Sequence, residues 1–205
     1  MAKLKIGVLI SGRGTNLQAI IDACKDPSYP VEISCVISNN DDVIGLERAR
    51  DAGIDSHIIN HREFPSREEF DQALNTSLLD YGIKFIVLAG FMRILTPWFT
   101  EQWKNRIINI HPSLLPKHKG AHAHEEVIRD GDNVSGCTVH FVTSEMDSGP
   151  IILQKQVEVK PSDTLETLAT RILAKEHAAL PEALELIDRG KVKVIGDQVV
   201  REGMI

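Results

Sequence analysis

The sequence has no apolar run long enough to cross a bilayer and no stretch rich in lysine or arginine. The apolar segment 4–10 is too short for a signal sequence or a membrane span, and it leads directly into a glycine-containing turn. The formal net charge of −6 disfavours binding to a nucleic-acid phosphate backbone. We therefore expect a cytoplasmic protein whose partners are small molecules, with no nucleic acid and no membrane among them.

Cysteine is also scarce. The three cysteines, Cys24, Cys35 and Cys137, are widely spaced among apolar neighbours, which favours reduced, buried thiols over disulfides or zinc ligands. The other candidate metal ligands are histidines: His111, His118, His122 and His124. No cysteine or carboxylate stands near them at a recognised zinc spacing, so the sequence predicts no metal site.

Linkers, repeats and low-complexity tracts are absent too, and we expect residues 1–205 to form a single domain. Apolar runs alternate with helical patterns along the chain. The predicted strands are 3–10, 31–38, 56–60, 84–90, 106–111, 136–143 and 151–159. The predicted helices are about 17–24, 43–52, 66–81, 97–103, 123–129 and 164–189. This alternation predicts an α/β fold with a doubly wound, mainly parallel sheet and flanking helices.

Three finer expectations concern the second half of the chain. The last two predicted strands are close enough in sequence to be antiparallel, and residues 192–201 resemble a terminal hairpin. Asp163 and Glu166 are spaced like a capping box at the start of the last helix. Glu176 interrupts the apolar stripe of that helix, which a functional carboxylate reaching a binding crevice would explain.

A turn with the sequence Ser-Gly-Arg-Gly-Thr-Asn, residues 11–16, joins the first strand to the first helix. Backbone amides at a helix N-terminus attract anions, and Arg13 adds charge nearby. The turn is not a dinucleotide fingerprint, because Leu17 occupies the third glycine position, and it lacks the Gly-Lys-Ser/Thr of a P-loop. Phosphate binding is the favoured interpretation, with a plain tight turn as the alternative.

Asn109 and His111 share one face of an extended segment, while Ile110 turns to the core. Pro112 should end that strand and leave His111 at its carboxyl end, where open α/β sheets bind ligands. An amide can donate to a developing oxyanion, and an imidazole can give or take a proton near neutrality. Asn109 and His111 are therefore candidate catalytic residues.

Asp147, in the Met-Asp-Ser-Gly-Pro segment 146–150, is the third candidate. Its carboxylate would orient the imidazole of His111 or a proton-carrying water, and its charge would favour protonated His111. The same residues also suit a plain turn. His140, in the predicted strand 136–143, could lie in the core or face the crevice. With this carboxylate added, acyl transfer becomes a plausible reaction class.

The chain closely resembles the phosphoribosylglycinamide formyltransferase family over residues 4–189. The motifs that carry the resemblance are residues 10–20, 88–95, 109–120, 139–143, 147–152 and 175–177. The resemblance implies a Rossmann-like formyltransferase fold. It also implies formyl transfer from 10-formyltetrahydrofolate to glycinamide ribonucleotide in purine synthesis, without a metal, by a monomer or homodimer.

The resemblance also implies individual roles. It matches Asn109, His111 and Asp147 to catalytic residues. The positions that match substrate-binding residues are Gly14, Thr15, Asn16 and Glu176. The positions that match folate-binding residues are Arg67, Met92, Arg93, Ile94, Leu95, Asn109, Thr143, Ser144 and Asp147. Three residues depart from the family pattern. Ser144 stands where an acidic residue is usual, Ser148 where glycine is usual, and Ala121 where leucine is usual. The first two departures bear on pterin affinity and the third on local packing.

Four alternatives remain. A formyltetrahydrofolate hydrolase and an initiator-tRNA formyltransferase share the Asn-x-His…Asp core, but each typically carries an added domain that we do not expect here, and the acidic charge argues against tRNA. A non-catalytic module that binds a phosphorylated metabolite would not need the three candidate catalytic residues together. A nicotinamide oxidoreductase is the weakest alternative, because the glycine turn departs from the dinucleotide pattern.

Overall fold

A computed structural model of the protein describes residues 3–201. The chain divides after Ile108 into two compact units, named here the N-terminal and the C-terminal unit. That both belong to one domain stays a prediction. Within the described residues no helix combines the length and the apolar character needed to span a bilayer.

The N-terminal unit alternates strands with helices, as predicted. Its strands are β1 (Leu4–Ile10), β2 (Val31–Ser38), β3 (Ser56–Ile58) and β4 (Phe85–Leu88). Its helices are α1 (Thr15–Cys24), α2 (Ile44–Asp51), α3 (Arg67–Asp80) and α4 (Pro97–Gln102). Strand β1 pairs in parallel with β2 and β4, and β2 pairs in parallel with β3. Every residue of β4 is buried, as expected of a central parallel strand covered on both faces.

The C-terminal unit begins at Asn109, within strand β5 (Ile107–His111). Its further strands are β6 (Val134–Phe141), β7 (Ile151–Glu158), β8 (Val192–Ile195) and β9 (Gln198–Arg201). Its helices are α5 (Ala123–Asp130) and α6 (Leu165–Asp188). The strand order β3-β2-β1-β4-β5-β6-β7 confirms the predicted α/β fold with a mainly parallel sheet. Strands β6 and β7 are antiparallel, and β8 and β9 form the predicted hairpin.

Helix α6 packs on β6 and β7 through an apolar stripe. Its fully buried members include Leu168, Ile172, Leu180 and Leu184. Each such side chain stabilises the fold by about 1.5–3 kcal/mol relative to an exposed one. Glu176 lies within the same stripe and is only 7% exposed, so the predicted buried carboxylate is present.

The predicted Asp163–Glu166 capping box is wrong. Thr164 is the N-cap, and it exchanges hydrogen bonds with Thr167: each backbone amide donates to the other residue's hydroxyl. The carboxylate of Asp163 instead accepts hydrogen bonds from the backbone amide of Lys160 and the guanidinium of Arg171. An arginine eight residues further along competes for the capping carboxylate, and sequence spacing does not reveal it.

The cysteines carry free thiols, as predicted. Cys35 and Cys137 are buried, and Cys24 is partly buried. Burial raises the pKa of Cys35 and of Cys137 to about 12, so both thiols stay protonated at neutral pH. They are consequently inert members of the core.

Replacing Gly136 by alanine should lower the free energy of unfolding by about 2 kcal/mol, the scale of core overpacking. The new Cβ would lie 2.0 Å from the carbonyl oxygen of Lys155 on β7 and 2.9 Å from Cδ2 of Leu114. Strands β6 and β7 would have to separate. Urea unfolding measures the loss, with Gly12→Ala as the matched control, because its Cβ meets no atom within 4 Å. Equal stability of the two variants would contradict this close strand contact.

Candidate active site

The glycine turn follows β1 and leads into α1. Gly14 is the residue before the first helical residue, at a φ of 65° in the left-handed region that glycine adopts without strain. No side chain caps α1. The N-terminus of this helix therefore keeps the anion-attracting character that the sequence predicts.

Helix α2 holds the glycine turn in place. The amide of Gly45 donates to the carbonyl oxygen of Gly12 at 3.1 Å, and Nε of Arg48 donates to the carbonyl oxygen of Arg13 at 2.9 Å. A Cβ on Gly14 would lie 2.7 Å from Cα of Gly45. Glycine is thus required on both sides of this contact. The sequence did not single out Gly45, because its partner is thirty-one residues earlier.

The segment Met92–Leu95, expected to bind folate, lies beside the glycine turn in the N-terminal unit. The amide of Met92 donates to Oγ of Ser11 at 2.7 Å, and that hydroxyl donates to Oδ1 of Asn39 at 2.5 Å. The side chains of Met92 and Ile94 are 72% and 58% exposed, whereas Leu95 is buried. Two large exposed apolar side chains after a central strand suit contact with a ligand.

A buried carboxylate fixes the end of this segment. Oδ2 of Asp71 accepts hydrogen bonds from the amide of Thr96 at 2.7 Å and from its hydroxyl at 2.6 Å. Burial raises the pKa of Asp71, although the two hydrogen bonds from Thr96 oppose that rise. The signal for this residue in the sequence is its place at helical spacing with Leu74 and Leu78, which share the buried stripe of α3.

In the C-terminal unit the structure brings the three candidate catalytic residues together. Nδ1 of His111 lies 3.4 Å from Oδ2 of Asp147, and Nε2 of His140 lies 3.6 Å from Oδ1 of the same carboxylate. Nδ2 of Asn109 lies 3.3 Å from Nε2 of His140. His140, which the sequence left open, therefore links the amide to the carboxylate.

His140 has a defined tautomer in its neutral form. Its Nδ1 lies 2.8 Å from the carbonyl oxygen of Phe141, which can only accept a hydrogen bond. The proton accordingly sits on Nδ1, and Nε2 accepts from the amide group of Asn109. This contact orients the Asn109 side chain so that its oxygen points away from the imidazole.

The environment of His111 differs from the sequence expectation. Burial lowers the pKa of His111, and this effect outweighs the carbonyl oxygen of His118 and the charge of Asp147, which both raise it. The protein thus holds a neutral His111 at neutral pH, not the protonated one expected. Nε2 of His111 donates to the carbonyl oxygen of His118 at 2.8 Å, which leaves Nδ1 as the basic nitrogen facing Asp147.

Asp147 is the charged centre of this cluster. Burial opposes its ionisation, but the neighbouring His140 imidazole and a 2.9 Å hydrogen bond from the amide of Gly120 lower the pKa of Asp147 to about 2. Its φ of 49° is unusual for a residue with a side chain. The following turn approaches β6 so closely that a Cβ on Gly149 would lie 1.8 Å from the carbonyl oxygen of Phe141.

The remaining predicted positions are spread over both units. Arg67 is exposed at the first residue of α3. Thr143 and Ser144 are exposed after β6, and Glu176 is buried on α6. In residues 3–201 no three side chains of the metal-ligating types form a site for an ion. The absence of a bound metal remains a prediction.

Comparison with known proteins identifies relatives of the whole described fold. The family model described as formyl transferase matches residues 4–184. The phosphoribosylglycinamide formyltransferase of Escherichia coli (strain K12) is 46% identical over 191 residues, which cover 93% of this chain and 90% of that protein. A solved structure titled glycinamide ribonucleotide transformylase 1, from Symbiobacterium toebii, has a TM-score of 0.95 and 47% identity, with 97% of this chain and 94% of that chain covered.

Longer relatives contain the same region. The trifunctional purine biosynthetic protein adenosine-3 of Gallus gallus is 50% identical over 192 residues. The match covers 94% of this chain but only 19% of that protein. This chain therefore spans about a fifth of the length of that relative.

Replacing Asp147 by asparagine should lower the free energy of unfolding by about 2 kcal/mol at pH 7. Its folded pKa of about 2 lies below the ordinary value of 3.8, so the carboxylate stabilises the fold above the unfolded pKa. That contribution is lost as the pH falls through the folded pKa, and the difference between variant and wild type should shrink below pH 4. Urea unfolding at several pH values measures it, with the exposed Asp51→Asn as control. A difference that does not change with pH would contradict the assignment.

Proposed function

The chain belongs to the formyl transferase family, with phosphoribosylglycinamide formyltransferases as its relatives, and we propose that it transfers a formyl group from 10-formyltetrahydrofolate to the amine of glycinamide ribonucleotide. The products are formylglycinamide ribonucleotide and tetrahydrofolate. The observation that carries the proposal is the contact between His111 and Asp147, with Asn109 held beside it through His140. Asn109, His111 and Asp147 are the residues that the resemblance matches to the catalytic positions.

Asn109 is the oxyanion donor in this mechanism. The substrate amine attacks the formyl carbon, and the formyl oxygen gains negative charge as the tetrahedral intermediate forms. A carboxamide nitrogen carries two hydrogens. One of them is directed to His140, so the other is available for the oxyanion, and the amide need not reorganise during the reaction.

His111 and Asp147 handle the proton. The attacking amine must lose a proton, and neutral His111 accepts it on Nδ1, directly or through a bound water. The resulting imidazolium lies between the Asp147 carboxylate and the His118 carbonyl oxygen, and its charge stabilises the oxyanion. The imidazolium then gives up this proton, through a water held by Asp147, to the folate nitrogen as the carbon–nitrogen bond to the formyl group breaks.

The glycine turn is the proposed phosphate site of the ribonucleotide. Gly14, Thr15 and Asn16 form the start of α1, where the helix dipole and backbone amides favour a dianion. Glu176 is the proposed carboxylate partner of the same substrate. Its burial in an apolar helix stripe supports a binding role over a structural one.

The formyl donor has a separate set of proposed contacts. The exposed side chains of Met92 and Ile94 suit an apolar ring system, and Arg67 suits the glutamate tail of the folate. The other proposed folate positions are Arg93, Leu95, Asn109, Thr143, Ser144 and Asp147. The mechanism has no step that needs a metal. We further propose that the protein works in the cytoplasm as a monomer or homodimer, with small molecules as its partners.

His111→Ala should reduce kcat for formyl transfer by about 100-fold or more, because a positioned acid–base group contributes about that much. Folate product is followed by absorbance at saturating concentrations of both substrates. His57→Ala, an exposed histidine on β3, is the matched control and should keep wild-type kcat. Wild-type kcat in His111→Ala would show that the proposed mechanism is wrong.

Gly14→Ala should raise KM for glycinamide ribonucleotide at least tenfold and leave KM for the folate within about twofold. The added Cβ would collide with Gly45, and alanine disfavours the left-handed backbone of this position. Gly53→Ala is the control, since Gly53 also has a positive φ but its Cβ would meet no atom within 4 Å. If KM for the ribonucleotide were unchanged in Gly14→Ala, the phosphate site would lie elsewhere.

A further inference from the structure

We propose that His118 is a positioning residue for His111. A clamp of carboxylates around the His118 imidazole holds the backbone carbonyl of His118 in place against His111. The inference rests on the proposed function, because it assigns His118 a part in the chemistry of His111. The clamp consists of Glu126, Asp130 and Asp132, with Lys117 bound to Asp132, all in the C-terminal unit.

The first observation is the backbone of His118. Its carbonyl oxygen accepts the hydrogen bond from Nε2 of His111 at 2.8 Å, and its φ is 55°. A residue with a side chain adopts this left-handed region only at a cost in free energy. Residues with such backbone strain are found most often at functional sites. Contacts elsewhere in the protein must therefore hold His118 in this conformation.

The second observation is the surroundings of the His118 side chain, which is only 10% exposed. Its Nε2 lies 2.8 Å from Oδ2 of Asp132, and its Nδ1 lies 3.4 Å from Oε2 of Glu126 and 3.8 Å from Oδ2 of Asp130. Nζ of Lys117 donates to the same Asp132 carboxylate at 2.9 Å. One ring nitrogen thus contacts Asp132 at hydrogen-bond distance, and the other faces the carboxylates of Glu126 and Asp130.

The hydrogen bond from His118 lowers the pKa of Asp132, and the hydrogen bond from Lys117 lowers it further by a smaller amount. This carboxylate is therefore ionised at neutral pH. Lys117, His118 and Asp132 also line a cavity of about 340 Å³. Leu114 and Val134 line the same cavity. The contact with Asp132 holds the imidazole at this wall.

The hydroxyl of Ser113 also contacts the backbone at residues 117 and 118. Ser113 is fully buried, and its Oγ donates to the carbonyl oxygen of Lys117 at 2.6 Å and lies 3.1 Å from that of His118. The carbonyl groups of Lys117 and His118 therefore both lie against this buried hydroxyl. The sequence offered His118 only as a possible metal ligand, and its backbone role depends on a fold that brings residue 118 back to residue 111.

The carbonyl has a definite chemical effect on His111. It fixes the proton of neutral His111 on Nε2, which leaves Nδ1 free to accept a proton on the side of Asp147. It also stabilises the imidazolium that forms during the reaction, because a carbonyl oxygen is a better partner for a charged donor than for a neutral one. The titratable groups around His111 are Asp147, His140 on β6 and His124 on α5.

The test compares His118→Ala, His118→Gly and Asp132→Asn with wild type. Alanine loses the clamp and disfavours a positive φ, whereas glycine loses the clamp but adopts this φ without strain. We expect kcat for formyl transfer to fall about tenfold in His118→Ala with KM values within twofold, and to recover to within about threefold of wild type in His118→Gly. Asp132→Asn, which leaves residue 118 unaltered, should lower kcat in the same direction.

Histidine NMR titration supplies a readout that does not depend on catalysis. Loss of the carbonyl acceptor should move the pKa of His111 below its wild-type value in His118→Ala, and the acidic limb of the kcat profile should move with it. The exposed His122, which pairs with Glu125 at 2.9 Å, provides the control His122→Ala. This variant should change neither kcat nor the titration of His111.

Three results would overturn the inference. These are an unchanged His111 titration in a folded His118→Ala, a glycine variant no more active than the alanine variant, or a rise in kcat when the clamp is removed. A rise would mean that the carbonyl restrains His111. If the wild-type protein showed no formyl transfer while the titration still shifted in His118→Ala, the proposed function would fail and the positioning of His111 would stand.

Discussion

The carboxylate of Asp147 is the group on which the candidate catalytic cluster of the C-terminal unit depends. It contacts His111 at the end of β5, His140 near the end of β6 and the amide of Gly120 in the loop that precedes α5. Three segments distant in sequence thus meet at one ionised side chain. This position of the carboxylate requires a left-handed backbone at Asp147 and a close approach of Gly149 to β6.

In the proposed mechanism, the cluster stabilises charge that appears only during the reaction. His111 is 4% exposed and neutral in the free protein, because burial outweighs its favourable partners. Those partners, Asp147 and the carbonyl of His118, already occupy the positions that an imidazolium would need. When the proton arrives, these partners stabilise the imidazolium with little reorganisation of their own groups. Asn109 is prepared in the same way by its contact with His140.

Sequence alone could predict the parts of this arrangement that local rules determine. Alternation along a strand placed Asn109 and His111 on one face, and Pro112 predicted the end of β5 at His111. The glycine turn and the buried Glu176 were also visible as departures from ordinary patterns. The roles of these residues in binding remain proposals, whereas the fold and the family follow from the structure and the relatives.

The parts that sequence could not predict depend on tertiary contacts. The protonation state of His111 follows from how completely the fold buries it, and Gly45 and Asp71 act through residues far away in the chain. The capping box lies one residue later than expected, because the hydroxyl of Thr164 caps the helix while Asp163 binds Arg171, two turns along it. His118 shows the limit most clearly, since its side chain suggested a metal ligand and its backbone carbonyl is what touches His111.

The central claim is that the cluster around Asp147 moves a formyl group to an amine and not to water. The most direct measurement follows the absorbance of the folate product formed by the purified protein, with and without glycinamide ribonucleotide. We expect product only when the ribonucleotide is present, with one formylated ribonucleotide for each folate released. Product formation at the same rate without the ribonucleotide would identify a hydrolase and contradict the account, as would the absence of any product when both substrates bind.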